Sequence, residues 1–214
     1  MPQPTRRTFV AAAGALLLAR PALSQGPARS REIRIGALYP ETGPLRSLGQ
    51  EGFRGLELAV EARNAAGGVF GRPVTLLRRN ALNAAQAPQA ARQLISAERV
   101  AAVFGTAASP LSIAASQAAE LQGIPYFELG APADGITARD FRFVFRAAPT
   151  ATAEAVLGLQ ACTKLLPALW DNPLAPLRVF VLHEAGAYGQ SVGATQESLI
   201  RQGLGPIFAG RFGY

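Results

Sequence analysis

The chain has 214 residues, 49% of them hydrophobic and 16% charged, which is length and apolar content for one or two globular domains and excludes a disordered chain. Its 21 basic and 14 acidic residues give a formal net charge of +7. Beyond the first 24 residues, however, Arg78-Arg79 is the only adjacent basic pair and no basic aromatic stripe forms, so nucleic acid is excluded as a partner. The one cysteine, Cys162, has no partner for an internal disulfide, and a single histidine without clustered Cys or acidic ligands argues against a metal centre or other cofactor.

Residues 1–24 are set apart from the fold. Thr5-Arg6-Arg7-Thr8-Phe9 precedes an apolar run from Ala11 to Ala19 and a small-residue exit at Ala22-Leu23-Ser24, which looks like a twin-arginine export signal. The run is about half the ~20 residues of a spanning helix, and Arg20-Pro21 closes it. Removing it leaves 21 − 3 = 18 bases against 14 acids, a mature charge of +4.

After a polar linker, a strand over 33–38, a turn Tyr39-Pro40-Glu41-Thr42-Gly43-Pro44, a helix over 48–65, a break at Gly67-Gly68 and a strand over 74–78 make a βαβ unit. The turn lies where open parallel sheets bind small molecules. It lacks the Gly-x-Gly-x-x-Gly spacing of a dinucleotide site. Tyr39 and Glu41 in that turn are candidate ligand contacts, with a packing plug as the other reading for the tyrosine. Gly52, Gly55, Leu56, Ala59 and Val60 are the expected sheet-facing side of the first helix.

A helix over 84–97 follows, with Ala87, Ala91, Leu94 and Ile95 as its inner stripe and Pro88 in its first turn. Val100 to Phe104 reads as a third strand, Ser109-Pro110 as an N-cap with proline at the first helical position, and 111–121 as the helix they start. A strand over 124–129 and the loop Gly130-Ala131-Pro132-Ala133-Asp134-Gly135 come next. Phe141, Phe143 and Phe145 alternate with polar and small residues as a further strand. A helix over 151–166, a proline-punctuated loop from Pro167 to Pro176, a strand over 177–182, a helix to about Gln202 and a strand over 206–210 complete the chain. Alternation of strand and helix predicts an α/β fold with a parallel sheet and helices on both faces. Cys162 is expected as a buried small hydrophobe, His183 as structural or solvent-facing, and Asp134 and Asp140 as turn and cap residues.

Ile35 to Pro44, Asn64-Ala65-Ala66-Gly67-Gly68-Val69-Phe70-Gly71-Arg72-Pro73-Val74, Phe104-Gly105, Val144-Phe145-Arg146 with Pro149-Thr150, and Tyr188-Gly189 stand in one order over nearly all of the mature chain. In that order they resemble the type I periplasmic solute-binding proteins, in the leucine/isoleucine/valine-binding branch of ABC uptake receptors. The resemblance implies two α/β lobes, a first over 31–148 and a partial second over 149–214, closing over a small-molecule solute that is passed to a membrane permease. It implies a monomeric, periplasmic protein. It also implies that the position of Ser109 offers a hydroxyl, that the loop of Gly130, Ala131 and Pro132 offers backbone groups, and that Tyr188 packs on the solute from the second lobe. A helix starting at Ser109 would present unpaired N–H groups and a positive dipole end suited to a carboxylate. Pro132 replaces a threonine usual in amino-acid receptors of this branch, which keeps organic and aromatic acids open beside branched-chain amino acids.

Two function classes follow, a non-enzymatic solute receptor and an α/β enzyme such as a hydrolase sharing only the layered architecture. No Gly-x-Ser-x-Gly elbow or phosphate loop supports the enzyme. The family commonly runs well past 214 residues, so the chain is expected to be a truncated or frame-shifted form whose last residues, 205–214, fall outside the pattern and whose binding is weakened.

Overall fold

The computed structural model describes residues 32–170, 178–203 and 205–214, so the export segment read in residues 1–24 and the prolines at 173 and 176 lie outside the described residues. Strands β1 (Ile33–Tyr39), β2 (Val74–Asn80), β3 (Val103–Gly105), β4 (Tyr126–Glu128) and β5 (Val144–Arg146) form one parallel sheet in the order β2-β1-β3-β4-β5. The chain leaves β1 to one side for β2 and returns to its other side for β3. That reversal is the topological switch point of a doubly wound sheet, and it puts the crevice at the ends of β1 and β3.

Helix α1 (Arg46–Ala65) covers one face of this sheet through Phe53 and Leu56, packed with Ala37 and Tyr39. Its buried stripe is Gly49, Phe53 and Leu56, whereas Gly55 and Ala59, expected on the inner side, are exposed. The heavier Phe53 sets the rotation of the helix, and bare glycines bring it close. A Cβ on Gly49 would lie 1.9 Å from the Pro40 carbonyl oxygen, and one on Gly52 2.6 Å from the Tyr39 ring. The opposite face carries α2 (Ala87–Arg92), which runs on as a π-helical turn over Gln93–Ala97, and α3 (Ser109–Leu121). Ala87, Ala91, Leu94 and Ile95 are all buried there, as their spacing predicts. The sequence expects a strand through Phe141 and Phe143, but only Val144–Arg146 pairs. Phe141 packs on the core instead, and the Glu120 carboxylate takes the Phe143 N–H, so Phe143 joins the neighbouring strand only through its carbonyl, which accepts the Tyr126 N–H at 2.7 Å.

Helix α4 (Ala151–Trp170) continues through Pro167, which the sequence reading places in a loop; proline has a helical φ and here removes one hydrogen bond without ending the helix. Cys162 on this helix is exposed, correcting its expected burial. Strands β6 (Arg178–His183) and β7 (Ile207–Gly213) pair in parallel as a second, two-stranded sheet, with α5 (Ala187–Arg201) between them in sequence. Leu159, Val181 and Ile200 form its small core. Residues 207–213, expected to lie outside the pattern, pair with β6 along their length through one register shift between Val179 and Phe180. An apolar gap of about 490 Å³ opens between α4 and β6, lined in part by Leu166, Trp170, Phe180 and Leu182.

Candidate functional site

At the switch point, Tyr39 ends β1 and the chain turns into Pro40 and Glu41. The Glu41 N–H donates to Asn80 Oδ1 at 2.9 Å, and the Asn80 side-chain amide donates to Thr42 Oγ1, so the end of β2 holds the turn. The Glu41 carboxylate lies 2.7 Å from Arg78 Nε, and the Arg78 guanidinium lies over the Phe53 ring. Tyr39 is buried beneath α1 and its hydroxyl has no hydrogen-bond partner among the described residues. Burial, with the nearby Glu128 charge adding to it, pushes the Tyr39 phenol up to about 12. The side chain therefore fills the plug position, and the peptide at Pro40–Glu41 carries the surface of the turn.

The loops after β3 and β4 meet at one side chain. Glu128, fully buried at the end of β4, accepts hydrogen bonds on Oε1 from the backbone N–H groups of Ala107 (3.0 Å), Gly130 (2.9 Å) and Ala131 (2.9 Å). Its Oε2 accepts from the Thr106 N–H at 2.7 Å. The Tyr126 hydroxyl lies 3.3 Å from both that oxygen and Ser112 Oγ. Burial and the Glu128 charge hold this phenol well above the usual tyrosine range.

Ser109 is the first residue of α3 rather than its N-cap; Ala108 takes the cap position, and the Ser109 hydroxyl instead accepts the Ala133 N–H at 3.1 Å. The side chain thus ties α3 to the loop that contains Gly130 and Ala131. Its own hydroxyl proton and the N–H groups of Ser109 and Leu111 find no acceptor among the described residues. These groups sit at the positive end of α3. The Pro132 carbonyl accepts from the Ala151 N–H and from Arg146 Nη1, so this loop is fastened on both flanks.

Tyr188 lies in the first turn of α5, partly exposed, with the Glu154 carboxylate of α4 near its hydroxyl. That acceptor, then burial and the charges of Glu154 and Glu184, raise its phenol. Its neighbour Ala187 packs against the core that includes Ala108, Ala131 and Ala133, which brings the start of α5 to the side of the first sheet where Ser109 lies. The α5 end is already neutralised: Glu184 accepts the N–H groups of Gly186 (2.6 Å) and Gly189 (2.9 Å). His183 is buried, with Gly193 and Gly213 beside its ring, and its Nδ1–H donates to the Glu184 carbonyl at 2.7 Å, a structural role. Asp134 accepts from the Thr152 N–H and hydroxyl. Among the described residues no cluster of His, Cys, Asp or Glu could hold a metal ion, and no helix is long and apolar enough to cross a membrane.

Ser109, Gly130 and Ala131 are therefore brought together, Tyr39 and Glu41 occupy the neighbouring turn, and Tyr188 approaches from α5. Sequence reasoning missed Glu128 and Glu184. The signal was present for the first: an acid two residues after Tyr126 falls on the same inward face of β4, with Gly130 two residues further on.

A family model described as periplasmic binding protein matches residues 32–212. The chain is 44% identical over 173 residues to the Leu/Ile/Val-binding protein homolog 7 of Brucella suis biovar 1 (strain 1330), covering 81% of this chain and 43% of that one. Among solved structures, it superposes on the branched-chain amino acid transporter substrate-binding protein LivJ of Streptococcus pneumoniae in complex with isoleucine with a TM-score of 0.71 at 24% identity, covering 85% of this chain and 50% of that one. A solute-binding protein of an ABC transporter from Rhodopseudomonas palustris BisB5 in complex with 3,4-dihydroxybenzoic acid gives 0.72 at 18% identity, with 86% and 47% covered. The chain spans about half the length of the relatives it matches.

Proposed function

The chain belongs to the periplasmic binding protein family, with Leu/Ile/Val-binding protein homologues among its relatives, and from that premise we propose that it is a solute receptor of an ABC uptake system. The solute is a small carboxylate-bearing molecule, a branched-chain amino acid or a related organic or aromatic acid. The observation that carries this reading is the start of α3, after β3, where the buried Ser109 hydroxyl proton and the N–H groups of Ser109 and Leu111 have no acceptor among the described residues. A carboxylate satisfies all three donors and is favoured by the helix dipole.

Glu41, Gly130 and Ala131 form the surrounding wall in this reading, with Tyr39 buried behind it as the plug that holds the turn. Glu41 closes one side through its pair with Arg78, and Gly130 and Ala131 shape the loop while their N–H groups are engaged by Glu128. Tyr188 covers the solute from α5. Pro132 lacks an N–H and its carbonyl is taken by Arg146 and Ala151, so this position offers a solute ammonium nothing, which favours acids beside amino acids. The protein is exported through a twin-arginine signal in residues 1–24, works in the periplasm as a monomer, passes its solute to a membrane permease and carries out no chemistry on it.

Isothermal calorimetry and thermal unfolding with isoleucine and with 3,4-dihydroxybenzoate test the reading. A bound solute at a hundred times its Kd stabilises the fold by about 2.7 kcal/mol. Ser109→Ala should lower that affinity and also lower the unfolding temperature by several degrees, because the buried Ala133 N–H loses its acceptor, so affinities are compared well below both transitions. Turnover of the solute would favour the α/β enzyme instead.

A further inference from the structure

Glu128 is a fully buried acid with no basic side chain in ion-pair range among the described residues. Its charge is balanced instead by four backbone N–H groups, two from the loop after β3 (Thr106 and Ala107) and two from the loop after β4 (Gly130 and Ala131). We propose that Glu128 is a positioning residue, a built-in anion that sets the geometry of both solute-facing loops. Its effect on affinity rests on the solute-receptor reading; its effect on the loops does not.

The two loops belong to different strands, and their closest approach depends on the carboxylate between them. Ala107 holds a φ of 66°, a left-handed conformation that an L-residue keeps only where its surroundings fix it. Its N–H is fixed by Glu128 Oε1. The same oxygen takes the Gly130 and Ala131 N–H groups, so one atom sets the spacing of both loops by charge-assisted bonds. These converging amides would otherwise make an anion nest of their own. With Glu128 filling it, a solute carboxylate is directed to the remaining donors at Ser109 and Leu111, and the nest becomes part of the wall.

Glutamine at this position accepts on one oxygen only and turns an NH₂ donor toward at least one of the four amides. In the full 214-residue chain, Glu128→Gln should raise hydrogen exchange at the Thr106, Ala107, Gly130 and Ala131 amides at least tenfold. Exchange at the core residues Leu94 and Ala115 should stay the same. Glu128→Met, which fills the space without accepting hydrogen bonds, should open the loops at least as far; a residue that only packs would be replaced well by methionine. Formate should restore loop protection to Glu128→Ala, and formamide should not.

The affinity of whichever of isoleucine and 3,4-dihydroxybenzoate the wild type binds should fall at least tenfold in Glu128→Gln. Retained loop protection in both Glu128→Gln and Glu128→Met overturns the proposal, as does loop protection in Glu128→Ala that is no higher in formate than in formamide. Opened loops with unchanged affinity also overturn it. If the wild type binds neither solute while the exchange pattern appears, loop positioning stands and the solute-receptor reading falls.

Discussion

A Cβ placed on Gly130 would lie 3.2 Å from Ala107 Cβ and 3.3 Å from Ala107 Cα, across the gap between the loops that follow β4 and β3. Gly130 does not have a left-handed φ, so alanine there meets no backbone strain and the substitution isolates this contact. Ala107 cannot easily retreat, because its N–H is bonded to Glu128 at 3.0 Å. Gly130→Ala should therefore destabilise the fold by about 1 kcal/mol through overpacking. Urea unfolding reads this as a lower midpoint at unchanged slope. A gain in stability would show that the two loops are free to move apart.

Tyr39 gives a second test, because its hydroxyl is buried without a partner among the described residues. Its phenol is pushed up to about 12, first by burial and then by the Glu128 charge. Unfolding releases it to ionise near 10, so its contribution is fully present below pH 10 and is lost as pH rises through 12; the whole is roughly 2 to 3 kcal/mol. Tyr39→Phe should be neutral or stabilising at pH 7. It should also unfold less steeply between pH 10 and 12, with the buried Tyr126 leaving a residual dependence. Denaturant melts at pH 7, 10 and 11.5 measure both effects.

The part of the fold that was legible in the sequence is the part written in periodicity. The alternation of apolar runs with the Ala87–Ala91–Leu94–Ile95 stripe fixes strand, helix and sheet face, because those residues have no other way to leave water. Hydrogen-bond partners carry no such period. Ser109 has the residue type and the proline neighbour of an N-cap, yet its hydroxyl turns to Ala133, a partner 24 positions away that only the closed fold supplies. Cys162 shares the spacing of Leu159, but the rotation of α4 buries only one of the two. For the candidate site, the loops were locatable from strand ends and glycines, whereas the carboxylate that joins them required the register of β4 against β3.

At the start of α5, Glu184 accepts the Gly186 and Gly189 N–H groups and places a negative charge at the helix's positive end. Glu184→Ala should cost about 1 kcal/mol, the usual value of a lost N-terminal side-chain cap, and Glu184→Gln less. The Tyr188 phenol should also move down slightly in Glu184→Ala. It should move down further in Glu154→Gln, since the Glu154 carboxylate, as acceptor, is the leading cause of its raised value and the Glu184 charge the least. Carbon-13 NMR titration of the tyrosine ring follows both. Equal shifts in the two variants would place Glu184 closer to the phenol than the structure does.

Phe180, Leu182 and Phe212 are 58%, 65% and 58% exposed, although each belongs to the second sheet. Leu182 and Phe212 are register partners, and Phe180 is paired with Gly210, where a Cβ would lie 2.7 Å from its ring. Three large apolar side chains on adjoining strands make a contiguous patch, and contiguous apolar surface promotes association where scattered residues do not. The inner residues Val179, Val181 and Phe208 belong to the small core and are untouched by changes on this patch. Leu182→Lys with Phe212→Lys should therefore raise solubility severalfold and reduce concentration-dependent light scattering, with a change in unfolding temperature of only a few degrees. Phe208→Lys should unfold β7 instead, because its ring packs against the core and under the Arg201 guanidinium, 4.4 Å from its centroid. Sedimentation velocity across a hundredfold concentration range compares both variants with the wild type, and a double variant indistinguishable from the wild type would show that this patch drives no association.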